Sequence, residues 1–307
     1  MITLGIDTSN YATSVALVDN DTHQVIFSEK RFLPVDEGKI GLRQQQALFE
    51  HIKNLTNIFS SFKGVDIGAV GVSVRPKDED NSYMPCFLAG KMSAYSIGGA
   101  MNLPVIESSH QTGHLTSALF DLNKPELFDR TLLMLHVSGG TTDILLAENG
   151  IVKKTLGSSM DLFAGQAVDR LGVKLGFPFP AGQYVSDLAE KCEEKIPKPK
   201  ISVKGYNCNL SGLENQCDKL LAQGYTKEYV CKYCLTFVAH TLIKMIENVK
   251  KDLGDIPLVL AGGVMSSTVI KKIVTEKLPD AMFVKPQFSS DNAIGVAVNA
   301  YRKVTNG

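Results

Sequence analysis

The feature that most constrains this chain is a strand pattern that begins twice. Near the start, "ITLGIDTSNYATSVALVDN" reads as two apolar strands joined by a polar turn, and "QVIFSE" supplies a third strand. The order returns at residue 131, where "TLLMLHVSGG", "TTDILLAENG" and "IVKKTLG" again read as three strands. Short apolar runs bounded by Gly, Asn and Asp mark strands and turns, not helices. Each round then passes into alternating helices and strands. The first has a helix from about 42 to 62, with Leu48, Ile52, Leu55, Phe59 and Phe62 at helical spacing. The strand "IGAVGVSV", the helix "FLAGKMSAYSIGGAM", the strand "PVIES" and a histidine-bearing helix follow. The second holds several helices, the longest from about 226 to 251, then the strand "PLVLAGG", the helix "SSTVIKKIVTEKL", the strand "AMFVKP" and a final helix.

Such a duplication predicts an α/β protein of two lobes, 1–130 and 131–290, with the final helix 291–307 packing back on the first. A cleft between lobes is the usual place for a ligand. Lys plus Arg equals Asp plus Glu at 32 each, so no overall basic charge would grip nucleic acid. A local basic loop, "EKIPKPKISVKG" with Lys195, Lys198, Lys200 and Lys204, is either an anion-facing patch or a solvated loop. No apolar run is long enough for a membrane span, and "MITLGIDTSN" lacks the basic and apolar regions of a secretory signal, so the expected location is the cytoplasm with no membrane partner. Among the six cysteines only Cys231 and Cys234 form a CxxC, on a segment that reads as helix; reduced structural thiols are expected.

Three turns carry possible chemistry. "GIDTSNYATS", with Asp7, Thr8 and Ser9, and "HVSGGTTD" combine small residues, hydroxyls and a carboxylate, which lets backbone N–H groups approach a polyphosphate. The same residues also suit ordinary hairpins. In "LVLAGGVMSS", Gly262 and Gly263 follow a buried strand and permit close approach of a flat group such as adenine, or simply a tight turn. Together these elements resemble the actin-like ATPase fold of sugar kinases, actin and heat-shock chaperones.

In "SSHQTGHLTSALF", His110 and His114 stand at i and i+4, beside an apolar stripe of Leu115, Ala118, Leu119 and Leu122. Two imidazoles so spaced present nitrogens to one metal, or are two half-exposed structural histidines. Gln111 stands where the HExxH motif needs its Glu base, which argues against zinc-dependent proteolysis. Asp291, in "SSDNA", is a third ligand or the cap of the final helix.

The segments "GIDTS", "SSHQTGHLTSA", "VSGGTTDI", "LGSSMDLFAGQAVDRLGVKLGFPFPAG", "NLSGL", "LAGGV" and "SSDNA", in this order, resemble the TsaD/Gcp family, once described as sialoglycoprotein endopeptidases. The resemblance implies transfer of a threonylcarbamoyl group from its adenylate to the adenosine beside the anticodon of tRNA. It implies one divalent metal, iron or zinc, an ATP or adenylate-type nucleotide, and partner proteins like TsaB and TsaE. It matches His110, His114 and Asp291 to the metal ligands, and His136, Val137, Ser138, Gly139, Gly140, Asp169 and Gly182 to substrate-binding positions, with Ser267 where the family has an Asn. Asp169 would accept from a substrate hydroxyl, or pair with Arg170 or Lys174 on its helix. The chain departs from the family at Thr141, Leu162, Gln166, Glu214 and Ser267, after the first turn at Asn10, Tyr11 and Ala12, and at "RPKDEDNSYM", which replaces a GPGL loop. These departures leave open a second reading, a paralogue with altered catalysis serving as a nucleotide- or metal-binding subunit, and a third, an enzyme for another carbamoyl or phosphoryl substrate.

Overall fold

The computed structural model describes residues 1–9, 12–34, 42–61, 64–79, 81–289 and 293–306. Asp291, Asn10 and Tyr11 lie outside them. The chain divides into two units: 1–130 with 148–153 and 287–307, and 131–147 with 154–286.

The first unit is built on a five-stranded sheet of β1 (Ile2–Ser9), β2 (Ala12–Asp19), β3 (Gln24–Phe32), β4 (Ala69–Arg75) and β5 (Val105–Ser109), in the order β3-β2-β1-β4-β5. The first three strands pair antiparallel; β4 and β5 run parallel to β1, each reached through a helix. These helices are α1 (Gln44–Phe59) and α2 (Phe87–Met101), and α3 (His110–Leu122) follows β5 directly.

Side-chain alternation along β1 divides its work. Leu4 and Ile6 join Val15, Leu17, Val70 and Val72 in a core with Leu55 and Ile58 of α1 and Ala89 and Ala94 of α2. The opposite face meets the final helix, α10 (Ile294–Asn306). There Thr3 Oγ1 donates to the carbonyl of Ala297 at 3.0 Å. A Cβ on Gly5 would lie 2.1 Å from the Ala293 oxygen, and one on Gly71 2.3 Å from that of Val296, so α10 lies directly on the strand backbones. It crosses α3 just as closely: Thr116 Oγ1 donates to the Gly295 carbonyl at 2.7 Å. Residues 111–120 of α3 are therefore buried on every side, beyond the one apolar stripe expected.

On α1 the buried face is Ala47, His51, Leu55 and Ile58, one step round from the expected stripe, and Ile52 is 42% exposed. The shift follows from His51, a polar residue that the apolar pattern passed over; its Nδ1 is bonded to Thr13 Oγ1 of β2 at 2.8 Å.

The second unit repeats the plan with β6 (Leu132–Val137), β7 (Thr142–Glu148), β8 (Ile151–Ser158), β11 (Leu258–Ala261) and β12 (Met282–Phe283), in the order β12-β11-β6-β7-β8. Between β8 and β11 lie α4 (Ala164–Lys174), α5 (Gly182–Glu190), the small hairpin β9 (Ser202–Lys204) and β10 (Asn207–Asn209), α6 (Gly212–Ala222) and α7 (Lys227–Leu253); α8 (Thr268–Lys277) precedes β12 in the chain, and α9 (Pro286–Ser289) follows it at the return to the first unit. Thr226 caps α7 by accepting the N–H of Tyr229. Its Val230, Leu235, Phe237, Val238 and Leu242 centre a core shared with β6, α4, α5 and α8. All six cysteines are buried and unbridged. Burial pushes the thiols of Cys86 and Cys208 up to about 11 and that of Cys231 to about 12.

Candidate active site

In the first unit the alternation of β1 points Asp7 and Thr8 to opposite faces. Thr8 Oγ1 donates to the Cys86 carbonyl at 3.1 Å and accepts from Gly90 N at 3.2 Å, so its hydroxyl ties β1 to α2. Asp7, 1% exposed, turns toward α3. Its Oδ1 accepts the N–H of Ser9 at 2.8 Å, and its Oδ2 lies 2.6 Å from Nδ1 of His110. The Nε2 atoms of His110 and His114 are 3.0 Å apart, with the rings edge to face.

This geometry fits a metal. Two nitrogens each about 2.0–2.1 Å from one tetrahedral ion stand roughly 3.4 Å apart, so the pair needs little adjustment. With Nδ1 of His110 facing the Asp7 carboxylate, Nε2 is the nitrogen turned toward His114, the carboxylate–histidine arrangement that orients metal-ligating imidazoles. Among the described residues no third ligand joins the two histidines. Asp291 lies outside those residues, three positions before Ile294, the first residue of α10.

His51 is a polar group that the sequence did not single out. It is fully buried, and among the described residues its Nε2 has no hydrogen-bond partner. Burial drives its pKa down to about 4, against the pull of the Asp7 charge.

In the second unit a cavity of about 250 Å³ is lined by Gly139, Asp169, Gly182, Ser186, Gly263 and Ser267, among others. Five of the residues expected to bind substrate or nucleotide thus share one wall. Oδ1 of Asp169 accepts the N–H groups of Ala181 and Gly182 at 2.8 and 3.1 Å, fixing the start of α5. Its neighbours pair elsewhere, Arg170 with Glu214 and Lys174 with Asp218. Ser267 shares a hydrogen bond with Ser186 at 2.9 Å. His136 and Val137, at the buried end of β6, carry the turn but do not line this cavity.

The glycines divide by cause. Gly262 has φ 103°, and a Cβ there would meet the Val137 carbonyl at 2.1 Å, so the fold requires it. Gly139, Gly140 and Gly263 have open space where a Cβ would go, and no positive φ. Among the described residues nothing crowds a side chain at these three, so their backbones are open to close approach.

Asp161 was also passed over. Burial would raise its pKa, but the Ser211 hydroxyl and the N–H groups of Leu210 and Leu162 hold it down to about 2, drawing "DLFAG" and "NLSGL" together. Leu162 beside it is 5% exposed and joins the core, which accounts for an apolar residue there.

A profile of the family "TsaD: tRNA N6-adenosine threonylcarbamoyltransferase" matches residues 83–298. The chain belongs to the TsaD family. A threonylcarbamoyltransferase of Thermus thermophilus is 29% identical, over 100% of this chain and 94% of its own length. That of Thermosipho africanus is 27% identical over 100% and 96%. Solved structures agree on the fold. The (R)-2-hydroxyglutaryl-CoA dehydratase component A of Acidaminococcus fermentans superposes with a TM-score of 0.60 at 17% identity, covering 99% of each chain. A ROK family glucokinase of Streptomyces griseus gives 0.57 at 11% identity, over 98% and 100%. This TsaD family member therefore has the actin-like ATPase fold in its α/β form, with two mixed five-stranded sheets.

Proposed function

We propose that this chain is a threonylcarbamoyl transferase of the TsaD type, moving the threonylcarbamoyl group from its adenylate to the adenosine beside the tRNA anticodon. The observation that carries the reading is the chain of contacts Asp7–His110–His114, which sets two imidazole Nε2 atoms 3.0 Å apart with a carboxylate on the far side of one ring. In this reading His110, His114 and Asp291 hold one divalent metal, iron or zinc. When bound, it supplies a Lewis acid for a phosphate or carbonyl oxygen. Asp7 keeps the proton on Nδ1 of His110, so that Nε2 stays a lone-pair donor.

The cavity of the second unit binds the adenylate end. Gly139, Gly140 and Gly263 let its phosphate and base approach the backbone, while Asp169 holds the Gly182 end of α5 as a fixed wall and offers a carboxylate oxygen to a ribose hydroxyl. The adenosine N6 amine attacks the carbamoyl carbon, a C–N bond forms as the bond from that carbon to the phosphate oxygen breaks, and AMP leaves while the amine proton passes to solvent.

The partners are tRNA and proteins like TsaB and TsaE. Support for protein partners comes from the exposed faces of two packed helices: Phe49 and Ile52 on α1, and Leu88, Met92 and Tyr95 on α2, are each 42–60% exposed. A tRNA substrate and six unbridged cysteines suit the cytoplasm.

The test is reconstitution: purified chain, metal, threonylcarbamoyl adenylate, tRNA and partner proteins, with modified nucleoside read by mass spectrometry. Modified adenosine supports the reading; none, with metal and nucleotide bound, points to the binding-subunit alternative. The Ser186–Ser267 bond, at a position where the family has an Asn, is the observation on that side.

A further inference from the structure

The segment starting at Arg75 is where the family's loop is replaced, and it reaches onto the first turn of α3. The Pro76 carbonyl accepts the N–H of Gln111 at 3.0 Å. Asp78 Oδ2 accepts two hydroxyls, from Ser109 at 2.5 Å and Thr112 at 2.6 Å, while its Oδ1 accepts from Arg75 at 2.9 Å. Each hydroxyl is held again from another side. Ser109 Oγ accepts the Thr112 N–H at 3.0 Å, and Thr112 Oγ1 accepts the Val152 N–H at 3.3 Å.

Ser109 alone would cap the helix. Asp78 adds something a cap does not need. One carboxylate oxygen grips the residue before His110 and the residue two after it, so the turn cannot rotate without breaking both bonds. The carboxylate also sits favourably at the positive end of the helix dipole. Its side chain is 16% exposed, and a half-buried carboxylate persists there because its bonds replace water. His110 leaves the helix inside this clasp, and His114 follows one turn later.

We propose that Asp78 is a positioning residue for the His110–His114 pair: through Ser109 and Thr112 it fixes the first turn of α3, and so the direction in which both imidazoles present Nε2. This rests on the metal-dependent reading above and assigns a role to a loop that replaces the family's own.

The experiment compares the full chain with Asp78→Ala, Asp78→Asn and, as a control on the exposed loop, Glu79→Ala. The first readout needs no metal: the imidazole nitrogen signals of the six histidines, by NMR. The second is Co(II) affinity by chelator competition, with the absorption bands of the bound ion. Asp78→Ala is expected to shift or broaden the His110 and His114 signals while leaving His23 and His240 in place, and to weaken Co(II) on the order of 10-fold. Asp78→Asn, which keeps an acceptor oxygen, should recover most of both, and Glu79→Ala should match the parent. If Asp78→Ala does not fold, Thr112→Val and the conservative Thr112→Ser carry the comparison, the first losing the signature and the second keeping it. His110 and His114 signals that superimpose on the parent's in these variants overturn the proposal, whatever Co(II) does. A parent that binds no Co(II) sinks the metal reading instead, and the metal-free spectra still decide the clasp.

Discussion

Oδ2 of Asp7 lies 2.6 Å from Nδ1 of His110, and this contact makes β1 part of the histidine site. Removing it tests the orientation argument. Asp7→Ala should weaken divalent metal binding about 10- to 100-fold, the usual cost of losing an outer-shell carboxylate, and Asp7→Asn should weaken it less. Metal titration with chelator competition reads the effect. Equal affinity in all three proteins would show that the contact orients nothing.

His51 gives the fold a pH signature. Its folded pKa of about 4 lies below the ordinary 6.5, so the unfolded chain binds the extra proton and stability rises with pH. The contribution is complete above pH 6.5 and lost progressively as pH falls toward 4. Its size is on the order of 3 kcal/mol. Urea unfolding at stepped pH should show this loss, and His51→Gln should flatten it across the same window.

The thiols should be inert in the native state. Cys86, Cys208 and Cys231 are buried with raised pKa values, and none of the six is exposed. A thiol reagent at neutral pH should label almost none before denaturation and all six after. Rapid labelling of the CxxC pair, Cys231 and Cys234, in folded protein would contradict their structural assignment.

Gly5→Ala should be costly, because the added carbon meets the Ala293 carbonyl at 2.1 Å and must push α10 off β1. Overpacking of this kind costs about 1–3 kcal/mol, measured as a fall in the urea midpoint. Gly139→Ala, with open space where the added Cβ goes, should leave the midpoint unchanged and reduce nucleotide affinity. A large loss of stability in Gly139→Ala would remove the ligand argument for that turn.

Much of this was legible in the sequence, for identifiable reasons. Strand period and turn residues locate β1–β3 and β6–β8 because those signals are local. The i, i+4 spacing of His110 and His114 puts them on one helix face for the same reason. Asp7 was read as part of an anion-binding turn, since nothing local says that alternation turns it to α3 and Thr8 to α2. His51 was missed because an apolar template skips a histidine, even one held inside by a hydroxyl. Asp169, Asp161 and Asp78 act on partners 12 to 50 residues away, and only the folded chain brings those together.

Threonylcarbamoyl transfer by this chain is measured most directly in cells depleted of their own transferase, as modified adenosine in total tRNA when this chain and partner proteins are supplied. Modification should return with the parent chain and be lost with His110→Ala or His114→Ala. Unmodified tRNA with well-expressed, metal-loaded parent would contradict this expectation, as would full modification by the double histidine variant.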